Sequence, residues 1–414
     1  MKCFKDYIRY LFPFIIIIFI SFPGFGHAQY RVPLDEQKYL HQLEFDLLHK
    51  KAQKDQETTL LLLSDFYRII EPTLAKKYFI KSKLYLSKDA FSLGQSYYFE
   101  GLLYLNTDKN KAEGLFKKAI EYLSKINSGK SDFYLADSWY RYAIVQVNQK
   151  SYPYIIKTLT EKSIPLVQKY KNQKNIAYFY TLLGVHLTNS LNDYKKGVLY
   201  MLKSIDILEK EYPNSIHLYT TYLALSDSYS YEAGYEGLAK PYLDKATKII
   251  TPYQETSHYT YYLYSQLLVL INFKQYSKAL LISDNGIKRS KKFKQNVFLQ
   301  KFLFQKSDVL TKLKKYKQAK NTLLEFFKNG DLSKEVNNRK IIYTQLRDVN
   351  ELLNNNKEAL YWSKKYSTLN DSIYDQKIQY EISLLETKYR TLEKEKEIKE
   401  KEIEIKKIKY ISGF

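Results

Sequence analysis

Two stretches of the chain, Tyr276-Ser-Lys-Ala279 and Tyr316-Lys-Gln-Ala319, lie 40 residues apart and decide how the rest of the sequence is interpreted. The alanine that ends each stretch belongs to a series with equal intervals of 40: Ala239, Ala279, Ala319 and Ala359. Residues that can take the same place continue this series upstream, at intervals between 37 and 44: Gly197, Ile156, Ala112 and Ala75. We call these eight positions the anchors. A period of this length predicts an array of about seven or eight similar units.

Each unit contains two helix patterns. Residues four and seven positions after an anchor share its helix face, and they are apolar or small. Examples are Phe79 and Ser82, Phe116 and Ala119, Met201 and Ser204, Leu243 and Ala246, and Leu323 and Phe326. A second apolar pattern comes about 20 residues earlier, as in Tyr180-x-x-Leu183-Gly184-x-x-Leu187. Small residues such as Gly184 and Ser226 predict close approach of the paired helices. Ser283 and Gly286, four and seven positions after Ala279, break the anchor pattern in their unit.

Composition agrees with a helical repeat. The 414 residues include only 13 glycines and 9 prolines, which argues against a turn-rich β-sandwich. Hydrophobic residues make up 45% and there are 42 tyrosines, so most of the chain can form a core and is not disordered. We therefore predict an all-α fold, an α-α superhelix with a period of about 40, followed by a long charged helix.

These residues resemble the tetratricopeptide repeat (TPR) family, whose unit reads W-x-x-L-G-x-x-Y and then A-x-x-x-F-x-x-A. Ala112-x-x-x-Phe116-x-x-Ala119 matches the second half, and Leu183-Gly184 matches the first. The period of about 40 exceeds the 34 of the family, which implies longer helices. The resemblance covers residues 55–370. It implies a solenoid whose first helices line a groove for a protein or peptide ligand.

The amino terminus has the three-part layout of a secretory signal. Basic residues come first, an apolar stretch runs from Leu11 to Phe22, and Gly26 and Ala28 occupy the small positions before a cut ahead of Gln29. We predict a signal peptide at residues 1–28, an N-terminal capping helix at 29–54, and export to the periplasm or cell envelope. The single cysteine, Cys3, would be removed, so disulfides, thiol catalysis and cysteine-bound metal are not expected.

The carboxy terminus, residues 371–414, has a different character. A coiled-coil seam is predicted on a heptad spacing: Ile378, Ile382, Leu385, Tyr389 and Leu392. The helix could form a homodimer or stand alone through Glu and Lys pairs. Leu385-Glu-Thr-Lys-Tyr389 resembles the linker of Bacteroidetes-type envelope sensors, in which a membrane span and a histidine-kinase or helix-turn-helix effector follow. That resemblance implies membrane anchoring only if a span follows residue 414.

No motif points to catalysis. Ser128-Gly-Lys-Ser131 ends like a phosphate loop but has Ser124 where the first glycine is needed. Only His41 and His49, on one helix face, could share a metal, and polar positions on an amphipathic helix explain them far better. No cofactor is expected, and a hydrolase with a hidden carboxylate pair stays the remaining enzymatic alternative.

A binding surface is the expectation that remains. The groove side of the first helices would carry a set of polar and aromatic residues: Tyr178, Thr181, Thr188, Asp227, Tyr261, Tyr264, Lys301 and Asp308. Tyrosine offers large contact area at low entropic cost, although tyrosine at helical spacing also serves packing. The formal net charge is +22, yet only eight of the 66 basic residues are arginine, which argues against a nucleic-acid partner.

The sequence thus favours a non-enzymatic scaffold of the cell envelope that binds a protein or peptide and serves in signal transduction. The alternative is the N-terminal part of a membrane histidine kinase or DNA-binding regulator.

Overall fold

The computed structural model describes residues 32–126, 129, 131–146, 152–190, 193–328 and 336–371, and this part of the chain is helical without any strand. The predicted signal peptide and coiled-coil seam lie outside these residues. The chain divides into two compact bodies, Met1–Leu332 and Ser333–Phe414.

The N-terminal body begins with α1 (Glu36–His49) and continues as helix pairs joined by short turns. The pairs are α2 (Gln53–Ile70) with α3 (Pro72–Ser82), α4 (Ala90–Tyr104) with α5 (Lys109–Leu123), α6 (Asp132–Val145) with α7 (Tyr152–Thr158), α9 (Gln173–Ser190) with α10 (Tyr194–Glu211), α11 (Ile216–Tyr231) with α12 (Ala239–Ile250), α13 (Tyr259–Asn272) with α14 (Tyr276–Lys292), and α15 (Asn296–Lys312) with α16 (Tyr316–Lys328). Helix α7 continues through a π-helical turn (Leu159–Ser163) into α8 (Ile164–Lys169). The C-terminal body contains the pair α17 (Val336–Leu352) and α18 (356–371).

The anchors lie on the second helix of each pair, and their burial confirms the predicted stripe. Ala75, Ala112, Ala239, Ala279 and Ala319 are fully buried. The residues four and seven positions later are buried as well: Phe79 and Ser82, Phe116 and Ala119, Met201 and Ser204, Leu243 and Ala246, Leu323 and Phe326. Seven such pairs in the described N-terminal body, and one in the C-terminal body, agree with the predicted all-α superhelix of about seven or eight units.

One anchor is displaced by a residue. Ile156 is half-buried, and its neighbour Ile155 is fully buried in its place. The π-helical turn inserts one extra residue into this helix, so Ser163 follows Ile155 by eight positions instead of seven. Ser163 Oγ donates to the Ala136 carbonyl at 2.8 Å, and Ser204 Oγ makes the matching 2.8 Å bond to Ala177 one pair later. The turn therefore restores the register of the repeat.

Two glycines allow helices to touch. A Cβ on Gly197 would lie 2.7 Å from the Gly184 carbonyl oxygen and 2.4 Å from Thr188 Cγ2, so α9 and α10 meet at backbone distance. A Cβ on Gly286 would lie 2.2 Å from the ring of Phe302. The break in the α14 pattern thus has a physical reason, because Phe302 from α15 fills the space that a larger residue would occupy.

The turns inside the last three pairs share one backbone geometry. Lys274, Lys314 and Asn354 have φ of 56°, 59° and 55°, in the left-handed region. The next N–H in each turn bonds the carbonyl five residues back, as from Lys315 to Leu310 at 2.8 Å. This bond closes a Schellman motif, which ends the first helix and starts the return. Lysine is an uncommon residue for this conformation, so the sequence did not reveal the motif.

We predict that Gly197→Ala lowers the free energy of unfolding by about 1–3 kcal/mol, because the added methyl group forces α9 and α10 apart. Gly114→Ala is the matched control, since Gly114 is exposed on α5 and a Cβ there meets nothing within 4 Å. The control should gain up to about 1 kcal/mol from helix propensity. Urea denaturation followed by circular dichroism measures both, and equal effects in the two variants would contradict the close approach.

A second prediction concerns the turns. Lys314→Gly should raise the free energy of unfolding by up to about 1 kcal/mol, because glycine adopts the left-handed region without steric cost. The matched control is Lys288→Gly in the exposed interior of α14, which should lose about 1 kcal/mol. Thermal denaturation compares the two, and a loss at Lys314 as large as at Lys288 would show that the turn geometry is not strained.

Candidate binding surface on the first helices

Four of the predicted groove residues come together on three neighbouring first helices. Asp227 lies on α11, Tyr261 and Tyr264 on α13, and Lys301 on α15. Asp227 is only 5% exposed, Tyr264 is fully buried, and Tyr261 and Lys301 are half-buried. Lys301 Nζ lies 5.0 Å from the centre of the Tyr264 ring and 5.5 Å from that of Phe298. The aromatic rings thus hold the ammonium group on this face by cation–π contacts.

The charges of this face are incompletely satisfied. Burial raises the pKa of Asp227 to about 7, although Lys301, Ser265 and Tyr261 oppose the shift. Burial also lowers the pKa of Lys301, with the charge of Asp227 acting in the opposite direction. Within the described residues, Asp227 Oδ1 and Ser265 Oγ are buried without a hydrogen-bond partner. We call Asp227, Tyr261, Ser265 and Lys301 the polar cluster.

The other four predicted groove residues are engaged in packing or surface pairing. Thr181 is 4% exposed, and its hydroxyl bonds those of Ser204 and Thr221 at 2.9 and 2.8 Å. Thr188 is 7% exposed and donates to the backbone of its own helix at Val185. Asp308 pairs with Lys312 at 2.6 Å. A ligand contact of these residues stays a prediction.

Tyr178 belongs to a buried network that joins three helix pairs. Asp137 accepts hydrogen bonds from Tyr98 of α4 at 2.5 Å, from Arg141 at 3.1 Å and from Tyr178 of α9 at 3.3 Å. Asp137 is fully buried and Arg141 is 2% exposed. Burial would lower the pKa of Arg141, but the carboxylate of Asp137 and nearby tyrosines outweigh it and raise that pKa. Tyrosine hydroxyls complete the hydrogen bonding of the Asp137–Arg141 ion pair. The network therefore positions the first helices, and its charges are already paired within the protein.

Sequence reasoning missed a segment that lies against the first helices, residues 32–36, which we call the strap. Leu34 is only 4% exposed. It lines a cleft together with residues at the N-terminal ends of α6, α9 and α11 and one residue just after α12: Phe133, Lys174, Asn175, Ser215, Ile216, His217 and Tyr253. The strap therefore lies beside the N-terminal ends of neighbouring first helices.

Polar contacts tie the strap to residues just before α13. The Glu36 carboxylate accepts a 3.0 Å hydrogen bond from the Ser257 N–H and a short one from Ser257 Oγ. His258 Nε2 lies 3.1 Å from the Pro33 carbonyl, so this nitrogen carries the proton, and 3.5 Å from Glu36 Oε1. Burial lowers the pKa of His258, and Glu36 opposes this shift. These contacts join residues more than 220 positions apart, so no local pattern could have shown them.

The strap and the polar cluster lie on one face of α13. His258, Tyr261 and Ser265 follow each other at spacings of three and four, which places them along a single side of the helix. Tyr219 OH of α11 donates to the His258 carbonyl at 2.9 Å and so fixes this end of the face. We call the strap site and the polar cluster together the first-helix surface.

The described residues contain no group of three or more His, Cys, Asp or Glu that could hold a metal ion. His41 and His49 are both exposed, and the His49 ring stacks on Phe45 at 3.9 Å. Of the described helices, none combines the length and the apolar character that crossing a membrane requires.

No protein-family model and no curated protein matches the chain. Several solved structures are similar to it, among them the following three. A Rap protein complexed with competence and sporulation factor has 14% identity and a TM-score of 0.54, over 84% of this chain and 96% of its own. Aspartyl phosphate phosphatase F from Bacillus subtilis has 16% identity and a TM-score of 0.51, over 73% and 81%.

The third is a signal transduction ATPase with a tetratricopeptide repeat sensor from Pyrococcus horikoshii, at 15% identity and a TM-score of 0.52. The match covers 82% of this chain and 54% of that protein. At such identities the likeness shows the fold alone, and that fold is a TPR-like α-solenoid.

Proposed function

We propose that this chain is a non-enzymatic scaffold that binds an extended segment of a protein partner on the first-helix surface. The observation that carries the proposal is the strap itself. A short segment that is non-helical up to Asp35 already lies against the first helices, with Leu34 buried and Glu36, the first residue of α1, hydrogen bonded. The surface can therefore hold a peptide, by an apolar contact together with backbone and carboxylate contacts.

The solved structures support this class of function. The Rap protein was crystallised with competence and sporulation factor, and the Pyrococcus horikoshii protein is described as carrying a TPR sensor. Concave faces of helical repeats are large enough to hold an extended segment. These likenesses favour a protein or peptide ligand over a small-molecule substrate.

The polar cluster is where a partner would gain specificity. Asp227 Oδ1 and Ser265 Oγ are buried and unsatisfied, and Lys301 is the half-buried cation beside them. A partner that presents an acceptor would pair the partly exposed ammonium group of Lys301, and a donor that reaches the buried Asp227 Oδ1 as side chains rearrange would complete the cluster. Unpaired buried polar atoms cost about 1–3 kcal/mol each, so a ligand that pairs them is strongly preferred over one that does not.

We further propose that the scaffold acts as a sensory module in the cell envelope. The predicted signal peptide at residues 1–28 supports export, and the predicted coiled-coil helix supports transmission to a homodimer or an attached domain. Signal-peptide cleavage can be tested by mass spectrometry of the protein from the periplasmic fraction, with a first residue at Gln29 expected. An uncleaved chain retained with the cytoplasmic fraction would overturn the envelope location.

The second candidate is the sensory part of a membrane histidine kinase or DNA-binding regulator. It is favoured by the resemblance of the segment from Leu385 to Tyr389 to the linker of such sensors. Genomic sequence beyond the codon for Phe414 decides this, because a membrane span followed by an effector is expected there. A stop codon would exclude it.

Peptide binding can be measured directly. Peptides selected from a random display library on the purified protein should bind with micromolar affinity in isothermal titration calorimetry. Lys301→Ala should weaken binding at least tenfold, because the cation that pairs with the ligand is lost. The matched control is Lys278→Ala, an exposed lysine on the second helix α14, which should leave the affinity unchanged. Equal losses in both variants, or no selected binder, would contradict the proposed surface.

The buried charge predicts a pH dependence of stability. Because the pKa of Asp227 is raised from 3.8 to about 7 in the folded protein, folding favours its protonated form, and this contribution is lost as the pH rises toward 7. The Asp227→Asn variant has no ionisable group at this position, so its free energy of unfolding does not fall for this reason. Relative to the native protein, the variant should gain about 1 kcal/mol per pH unit between pH 5 and pH 7.

Urea denaturation at several pH values measures this difference. Asp244→Asn is the control, since Asp244 is exposed on α12 and pairs only with Lys240 across one helix turn. Its stability relative to the native protein should stay constant over this range. A constant difference for Asp227→Asn as well would show that the carboxyl group is not desolvated.

A further inference from the structure

The strap is held by two side chains that are two residues apart. Leu34 belongs to the same buried apolar cluster as Ile216 and Tyr219 of α11, and Glu36 places its carboxylate on Ser257. Asp35, between them, caps α1 by accepting from the Lys38 N–H at 3.0 Å. The site therefore recognises an aliphatic side chain followed, two positions later, by a carboxylate.

The receiving side is built for an anion. Ser257 supplies both its N–H and its hydroxyl to Glu36, and the neutral ring of His258 lies 3.5 Å away. Arg289 of α14 adds a positive charge near Glu36. Its guanidinium is fixed by hydrogen bonds to the carbonyls of Gln254 and Thr256 at 2.7 and 2.8 Å. This site is partly buried, because Ser257 is 6% and His258 is 1% exposed, so its donors would be costly to leave without an acceptor.

The helix that follows the strap is weakly anchored. On α1, Leu43 is the one fully buried side chain, while Phe45 and Leu48 are 54% and 66% exposed. Few apolar contacts mean a low free energy of local opening. Release of the strap then costs mainly the contacts of Leu34 and Glu36, so a partner must supply equivalent contacts to displace it.

We propose that the strap site is a recognition site for a partner segment with an aliphatic residue two positions before an acidic residue, and that this chain's own residues 32–36 occupy it as an internal competitor. The proposal rests on the proposed function and names the ligand class at one end of the same surface. A partner binds when its segment displaces the strap. The apparent affinity is the intrinsic affinity multiplied by the fraction of molecules in which the strap is undocked.

The probe for this proposal is a fluorescein-labelled peptide with the sequence of residues 29–38, QYRVPLDEQK. Fluorescence polarisation measures its binding to the mature protein and to the variant Leu34→Ala/Glu36→Gln, whose strap lacks both anchoring groups. The variant should bind the peptide at least tenfold more tightly than the native protein. The same peptide with Leu34→Ala and Glu36→Gln should not bind.

A single substitution tests the same point if the double variant fails to fold. Glu36→Gln is isosteric and removes only the charge, so it should raise peptide affinity about threefold to tenfold while circular dichroism stays native. The matched control is Glu44→Gln on the exposed side of α1, which should not change the affinity.

Equal binding by the native protein and Glu36→Gln would overturn the internal competition. Absence of peptide binding in every variant would overturn the recognition site, and the library-selected peptides then separate two cases. If they still bind in a Lys301-dependent way, the inference alone fails. If they do not bind either, the proposed function fails with it.

Discussion

The structure depends on close contact between the two helices of each pair at one small residue. Ala75, Ala112, Ala239, Ala279 and Ala319 are completely buried, and Gly197 meets Gly184 at backbone distance. A larger residue at these places would separate the helices and remove the dispersion contacts of the residues around them. Because six of the seven pairs described in the N-terminal body are built this way, the first helices come to lie side by side, and their exposed face forms a continuous surface.

This repeated packing explains why polar residues accumulate on the first helices. Apolar side chains fill the contacts between pairs, so the remaining face can carry hydroxyl groups and charges. In the earlier pairs these groups are closed into the network of Asp137, Arg141 and Tyr178. In the later pairs Asp227 and Ser265 stay unsatisfied next to Lys301. The first network is structural, and the second is the place where we propose that a ligand binds.

Much of the fold could be predicted from the sequence because its signals are local. The forty-residue period and the residues four and seven positions after each anchor predicted the buried stripe correctly. At Ile156 the prediction was displaced by one residue, since a π-helical turn changes the register and has no sequence signature. For the surface, helical spacing brought Asp227, Tyr261, Tyr264 and Lys301 together, but it could not distinguish Thr181, whose hydroxyl is used up between Ser204 and Thr221.

The sequence by itself determined the helices, their pairing and the absence of a recognisable catalytic motif, since these follow from composition and from spacings within one or two helix turns. Only the tertiary structure decided that Leu34 and Glu36 lie against Ile216 and Ser257. Such contacts form when many pairs, each turned slightly against the last, bring the start of the chain back to the sixth pair. That accumulated rotation belongs to the whole array, so no single stretch of sequence contains it.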